Sequence, residues 1–313
     1  MYVYILRRLL ATIPIMALVA VFVFMLLHLS PGDPAVIIAG DFANEEQVDK
    51  IREALGLNDP LYVQFGRWLI DLLQGDMGES IYSGMPVTEL IGQRVEPTLM
   101  LTLCTMVIAI TMAIPLGVIA AWKVGTWIDR AVMTLAVFGF SVPVFVIGYL
   151  LILGGSRTLG WFPVQGYTSI FESVPGFLSH ITLPALTLGA VYMALIARMT
   201  RATMLEVLNE DYVRTAYAKG LATRKVLVKH ALKNAMIPIS TTIGLGVALL
   251  IGGVVVTESV FAIPGLGRLT VDAVLRTDYP VIQGVILVFS FTYVLLNLAI
   301  DLTYVLFDPR IRY

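Results

Sequence analysis

The chain has 313 residues, 58% hydrophobic and only 14% charged, with a formal net charge of −1 and a mean hydropathy of +0.85. A soluble domain carries about 25% charged residues, so the composition excludes an ordinary soluble globule and points to a polytopic membrane protein. The single cysteine, Cys104 in an apolar run, excludes an internal disulfide and a thiolate metal cluster, and is expected in the core.

A span needs about 20 mostly apolar residues to cross ~30 Å of hydrocarbon. Six stretches qualify: 9–29, 98–121, 131–153, 181–197, 237–260 and 281–306. The first could pass for a signal peptide, because Arg7 and Arg8 precede it. Its apolar run is too long for that and "HLSPGDP" is a poor cleavage site, so it reads as an uncleaved span. With the N-terminus inside, 14 of the 21 Lys and Arg fall on the cytoplasmic side, and six spans return the C-terminus there. The outer segment from Ser30 to Glu96 carries four basic against twelve acidic residues, which agrees with that orientation.

Within this outer segment the spacing predicts two short amphipathic helices. Asn44 is placed to cap the first and Gly56 to stop it. Leu61, Phe65, Trp68, Leu69 and Leu72 line one face of the second. The segment is either a cap on the outer ends of the spans or a docking surface for an external partner. Pro115, Pro143 and Pro184 fall in or near spans and can kink them. Gly244, Gly246, Gly252 and Gly253 lighten the fifth span, which suits close helix packing, a subunit interface or a pathway wall.

Between the fourth and fifth spans lies a basic stretch. Residues 198–233 hold eight Lys or Arg against three Asp or Glu. Val226, Leu227, Ala231 and Leu232 can share a helical face, with Arg224, Lys225 and Lys229 elsewhere. Gly220 breaks the stretch and Thr223 is placed to cap the next helix, so two short helices bent at "KGLAT" are expected. The charge by itself fits an ordinary cytoplasmic loop or contact with anionic lipid.

Catalytic signatures are missing from the sequence. It has no GxxxxGK[ST] and no HExxH, and His28, His180 and His230 lie far apart. "GFSVP" at 139–143 is not a nucleophile elbow. Glu258, at the outer end of the fifth span, is expected to be hydrated; Asp301 lies deeper in the sixth, one turn after Asn297. Intramembrane charges are costly and often functional, so these polar residues serve either structure or a substrate path. A stand-alone secondary transporter and, behind it, a membrane-embedded enzyme stay open on these grounds.

One motif is more specific. "DYVRTAYAKGL" followed by "HALKNAMIP" resembles the cytoplasmic EAA loop of ABC-importer permeases of the dipeptide/oligopeptide/nickel branch. Asp211, Tyr212, Arg214, Thr215, Ala216, Lys219, Gly220 and His230 match the branch pattern, while Tyr217 replaces its usual arginine. "LSPGDP" at 29–34, "ESVFAIPGLGRL" at 258–269, "DYPVIQG" at 278–284 and "DPRIRY" at 308–313 fit the same branch, so the likeness runs nearly end to end.

The resemblance implies an all-α, six-helix type I ABC importer permease fold in a bacterial inner membrane. It divides the chain into an N-terminus with the first span (1–30), an extracytoplasmic segment (31–96), a five-helix core (97–306) with a coupling loop at 198–236, and a cytoplasmic tail (307–313). It implies a related second permease, two ATPase subunits that use ATP and Mg, and an extracytoplasmic solute-binding protein. It implies no catalysis, cofactor or metal in this chain, and no nucleic-acid partner. The loop, including Thr223 and Arg224, would be the coupling helix.

Overall fold

The computed structural model describes residues 2–29, 34–39, 44–54 and 56–307. "LSPGDP" lies mostly, and "DPRIRY" wholly, outside those residues. All the long elements are helices, as the apolar runs predict. The first span is α1 (Tyr2–Leu29). Three short helices come next: α2 (Pro34–Ala39), which the apolar pattern does not predict, α3 (Glu45–Ala54) and α4 (Leu61–Leu73). The second span is α5 (Val87–Trp122). The region of the third holds α6 (Trp127–Ser141) and α7 (Val144–Leu151), which continues as a π-helical stretch, Ile152–Thr158. The fourth is α8 (Val174–Leu208). Then come α9 (Asp211–Ala218), the single turn α10 (Thr223–Lys225) and a second π-helical stretch, Val226–Leu232. The fifth span is α11 (Lys233–Val260); after it come α12 (Leu266–Leu275) and the sixth span, α13 (Tyr279–Phe307).

By length and apolar composition α1, α5, α8 and α13 can each cross a membrane, and the α6–α7 pair forms a fifth, bent unit. α11, 28 residues long, occupies the remaining expected span. The third span is kinked at Pro143, one of the three prolines placed to bend a span: its two halves meet at 107°. The cause is local. Pro143 has no N–H to give and disfavours helical angles in the residue before it. Val142 accordingly takes φ −84°, ψ 129°, and α7 restarts after Pro143. Pro115 and Pro184, by contrast, lie inside continuous helices.

The chain forms two compact units, Met1–Arg94 with Leu269–Val294 and Val95–Arg268 with Leu295–Tyr313. In the first, α3 starts with a reciprocal capping box: Gln47 N–H donates to Asn44 Oδ1 at 2.9 Å, and Asn44 N–H to Gln47 Oε1 at 3.0 Å. It stops at Gly56, whose φ is +65°. The expected apolar face of α4 packs on α1, with Phe65 and Trp68 rings 5.3 and 5.8 Å from Phe24, although Leu61 at its start stays exposed. His28 is tied to Gln64 at 3.1 Å in the same corner.

In the second unit α8 is the central helix and packs against α6, α7 and α11. Glycines set the approach. A Cβ on Gly117 of α5 would lie 2.7 Å from the Ala197 carbonyl oxygen, and one on Gly139 of α6 2.9 Å from that of Ala190. In α11, Gly246 and Gly253 face Tyr192 and Leu188 of α8, so these two small residues serve packing within the unit. Cys104 is half-buried against this core. Asp129, buried at the start of α6, accepts from Arg201 of α8 through both carboxylate oxygens, at 2.5 and 2.8 Å.

Candidate functional site

The basic stretch folds into an elbow. Its first part is not loop: α8 continues to Leu208, so Arg198 and Arg201 belong to that helix, and Arg201 is occupied by Asp129. α9 then begins at Asp211. It ends in a Schellman motif, with Gly220 N–H donating to the Tyr217 carbonyl at 2.9 Å and Leu221 N–H to that of Ala216 at 3.3 Å. Gly220 sits at φ +74°, the left-handed conformation this motif needs and that glycine adopts without steric cost. An added Cβ would meet open space, so the requirement for glycine is conformational, not a matter of room.

An apolar cluster holds the two arms of the elbow together. Val213 and Ala216 of α9 and Val226 of the second π-helical stretch are buried together, flanked by Val207, Leu208 and Leu221. Asn234 of α11 donates to the Tyr212 hydroxyl at 2.7 Å, which fastens α9 to the base of the fifth span. The expected apolar face is real: Val226, Leu227 and Ala231 are buried, while Arg224, Lys225 and Lys229 are exposed. The helix carrying it is π rather than α, which periodicity did not reveal. Thr223 is not the cap; Ala222 occupies that position without a side-chain bond, and Thr223 is the first helical residue.

Most other residues of the elbow face outward. Asp211, Arg214, Thr215, Lys219 and Gly220 are exposed, and Tyr212, Tyr217 and Val228 expose 41%, 41% and 55% of their surface. Ala216 is core and His230 is half-buried. Arg214 pairs loosely with Asp211 at 3.5 Å. The outward surface is thus a wedge, packed from inside by the apolar cluster, of basic side chains around a few apolar and aromatic ones.

Glu258 corrects the expectation of hydration: it is fully buried. Thr98 Oγ1 donates to Glu258 Oε1 at 2.6 Å, and Arg268 N–H to Oε2 at 2.9 Å. Leu266 N–H in turn donates to Thr98 Oγ1 at 2.8 Å. Any Cβ on Gly265 would collide with the Glu258 carboxylate, and one on Gly267 would lie 3.0 Å from Oε2. The "ESVFAIPGLG" motif is therefore a buried clamp that folds the chain after α11 back onto α5 at Thr98. Its partner Thr98 lies 160 residues away in sequence, which is why the residue type alone did not reveal the burial. Asn297 is half-buried on α13, and the side chain of Asp301 lies outside the described residues.

The family model described as "Binding-protein-dependent transport system inner membrane component" matches residues 113–313, and its N-terminal companion matches residues 1–102. The chain belongs to this family. The permease is 54% identical over its whole length to the probable peptide ABC transporter permease protein y4tP of Sinorhizobium fredii, covering all of both chains. It is 47% identical over 310 residues to the glutathione transport system permease protein GsiC of Salmonella paratyphi A, covering 99% of each chain. A putative peptide transport system permease protein of Brucella abortus is 45% identical over 309 residues, covering 99% of this chain and 98% of the relative. Among solved structures, the MetNI methionine ABC transporter in an inward-facing conformation superposes with a TM-score of 0.58 at 18% identity, covering 70% of this permease and 96% of that chain. That likeness establishes the type I ABC importer permease fold, and family membership makes the chain a multi-pass membrane component of an ABC importer.

Proposed function

We propose that this permease forms half of a translocation pathway for short peptides or related small solutes, glutathione-like peptides among them, and that the elbow around Gly220 docks on a cytoplasmic ATPase. The observation that carries this reading is the elbow itself. It is a locked, exposed wedge continuous with both α8 and α11, in a chain whose relatives are named as peptide and glutathione permeases. A push on a rigid wedge passes to the two helices it joins, and rigid-body motion is enough for alternating access. In this reading Asp211, Tyr212, Arg214, Thr215, Lys219, Gly220, Thr223, Arg224 and His230 form or support the docking surface.

The assembly we infer has a related second permease, two ATPase subunits and an extracytoplasmic solute-binding protein. Both termini and the elbow lie in the cytoplasm, the 31–96 segment lies outside, and 97–306 is the permease core. ATP and Mg serve the ATPase subunits, and this chain brings neither catalysis nor a cofactor. Co-purification of an ATPase with the permease, together with ATP-dependent uptake of labelled dipeptide by the assembled complex, tests the reading. Uptake that persists without any ATPase subunit would favour a stand-alone transporter instead.

A further inference from the structure

The first unit contains a polar cavity that the transport reading does not use. About 150 Å³ in volume, it opens between the turn at 80–83, the start of α5 and the C-terminal end of α12. A single water needs ~10–15 Å³ by this measure, so there is room for a charged end of a small molecule. Arg94, Arg276, Asp272 and Asp278 line it, with Tyr82 and Ser83 beside them and apolar residues such as Leu90 and Leu269 completing the wall. The two guanidinium and two carboxylate groups balance.

The arrangement of Arg276 is the telling detail. It lies one helical turn from Asp272, a spacing at which an ion pair forms readily. Among the described residues the pair is not made. The guanidinium is stacked instead over the Tyr82 ring, 4.0 Å from its centroid. That contact uses none of the guanidinium N–H groups in a hydrogen bond or ion pair among the described residues, and those are the groups that fit a carboxylate bidentately. Arg94 makes no ion pair among the described residues, and neither does Asp272. Asp278, by contrast, is used structurally. It is buried and accepts from Ser80 Oγ at 2.5 Å and from Ile81 N–H at 3.1 Å, which pins the turn carrying Tyr82 to the end of α12. The cavity wall is therefore set before any ligand arrives.

We propose that this cavity binds a small zwitterion, the carboxylate of a short peptide at Arg276 and Arg94 and its ammonium at Asp272. The choice of a peptide rests on the proposed transport function; the zwitterion chemistry rests on the cavity. The full permease in nanodiscs, with the subunits that co-purify but without the solute-binding protein, is titrated calorimetrically with Ala-Ala, its C-terminal amide and its N-acetyl form. We expect Ala-Ala to bind, with the amide and the N-acetyl form each at least tenfold weaker. Arg276→Gln should weaken Ala-Ala tenfold or more and abolish discrimination against the amide, while Arg276→Lys recovers part of the loss. Asp272→Asn should abolish discrimination against the N-acetyl form. No binding of Ala-Ala, equal binding of its amide, or affinity unchanged in Arg94→Gln and Arg276→Gln would each overturn the proposal. Loss of ATPase co-purification is the separate sign that the transport reading itself has failed.

Discussion

Glu258 places a carboxyl group where water does not reach, with Thr98 and the Arg268 backbone bonded to its two oxygens. Removing one partner of such a group leaves the other buried and unsatisfied, at about 1–3 kcal/mol or more for a charge. Gly265→Ala adds a Cβ that collides with the carboxylate, so it should lower membrane abundance and the thermal midpoint. Glu258→Gln keeps the shape but replaces one acceptor oxygen by an N–H₂ that can only donate, so either the Thr98 hydroxyl or the Arg268 N–H loses its acceptor. It should lower the midpoint less than Gly265→Ala, in a fluorescence-detected melt of solubilised protein; equal or higher stability would argue against the clamp. In the loop at 159–173, Tyr167 donates to Glu96 at 3.0 Å, and burial first, then that bond and the Glu96 charge, raises its pKa. Because the folded pKa lies above the unfolded value near 10, this contribution is fully present below pH ~10 and is lost only as pH rises through the raised value. Tyr167→Phe should thus cost the same at pH 6 and pH 9, as melts at the two values will show. Two other non-glycine residues, Ala262 at φ +52° and Thr277 at φ +59°, sit in the left-handed region just before and after α12. Each lies next to a turn bonded to the residues around Glu258 or Asp278, which is how the strain is held.

Among the elements, the elbow separates what a sequence shows from what it hides. Gly220 was legible because a lone glycine between two helical periodicities has few other uses, and the Schellman geometry bears this out. Asn44 and Gly56 were legible for the same local reason. The break at Val142–Pro143 was signalled by the proline, but the sequence did not show which of three prolines would bend its helix, since Pro115 and Pro184 in similar apolar settings leave theirs continuous. Side-chain periodicity cannot distinguish a short π-helical stretch from an α-helix, and Thr223 looked like a cap only because the true cap, Ala222, has no capping side chain. The Glu258 clamp and the Asp129–Arg201 pair were hidden because they join residues 160 and 72 apart. If the left-handed angle is what matters at Gly220, Gly220→Asn should keep most transport, since asparagine tolerates that region. Gly220→Val should insert normally yet lose ATPase co-purification and uptake, because a β-branched residue strains there by more than the ~1–2 kcal/mol typical of other side chains. Wild-type uptake in the valine variant would remove the bend from the coupling mechanism.

For the molecule as a whole, hydropathy was enough to find the spans, because the hydrocarbon layer imposes length and apolarity directly. It could not show the 107° bend or the association of residues 269–294 with the N-terminal unit. Orientation rests on the basic bias of the loops and is open to a direct check. A cysteine at Asn44, exposed at the start of α3, should react with an impermeant maleimide in intact cells, and one at Thr223 should react only after permeabilisation. A reversed pattern would invert the assignment of elbow and outer segment. Cys104, half-buried in the core, should be replaced by serine first so that labelling reports only the new thiols.

The π-helical stretch at 226–232 closes its hydrogen bonds one residue further along the chain than the α-helix it leads into, so its wider turns take up about one extra residue between the elbow and α11. Each residue in an α-helix turns the chain by about 100°. Inserting one alanine after the exposed Val228, beyond the extra residue that the π-helical turns already take up, would swing everything before it by that angle. Val226 and Leu227 would leave the core, and the basic face would turn toward a different neighbour. The spans themselves have no reason to unfold. Such an insertion should give a permease that inserts in normal amount and carries an intact wedge aimed in the wrong direction, detected as lost ATPase co-purification with faster hydrogen exchange confined to residues 211–232. If ATPase binding survived, the phase of the elbow would be irrelevant to docking.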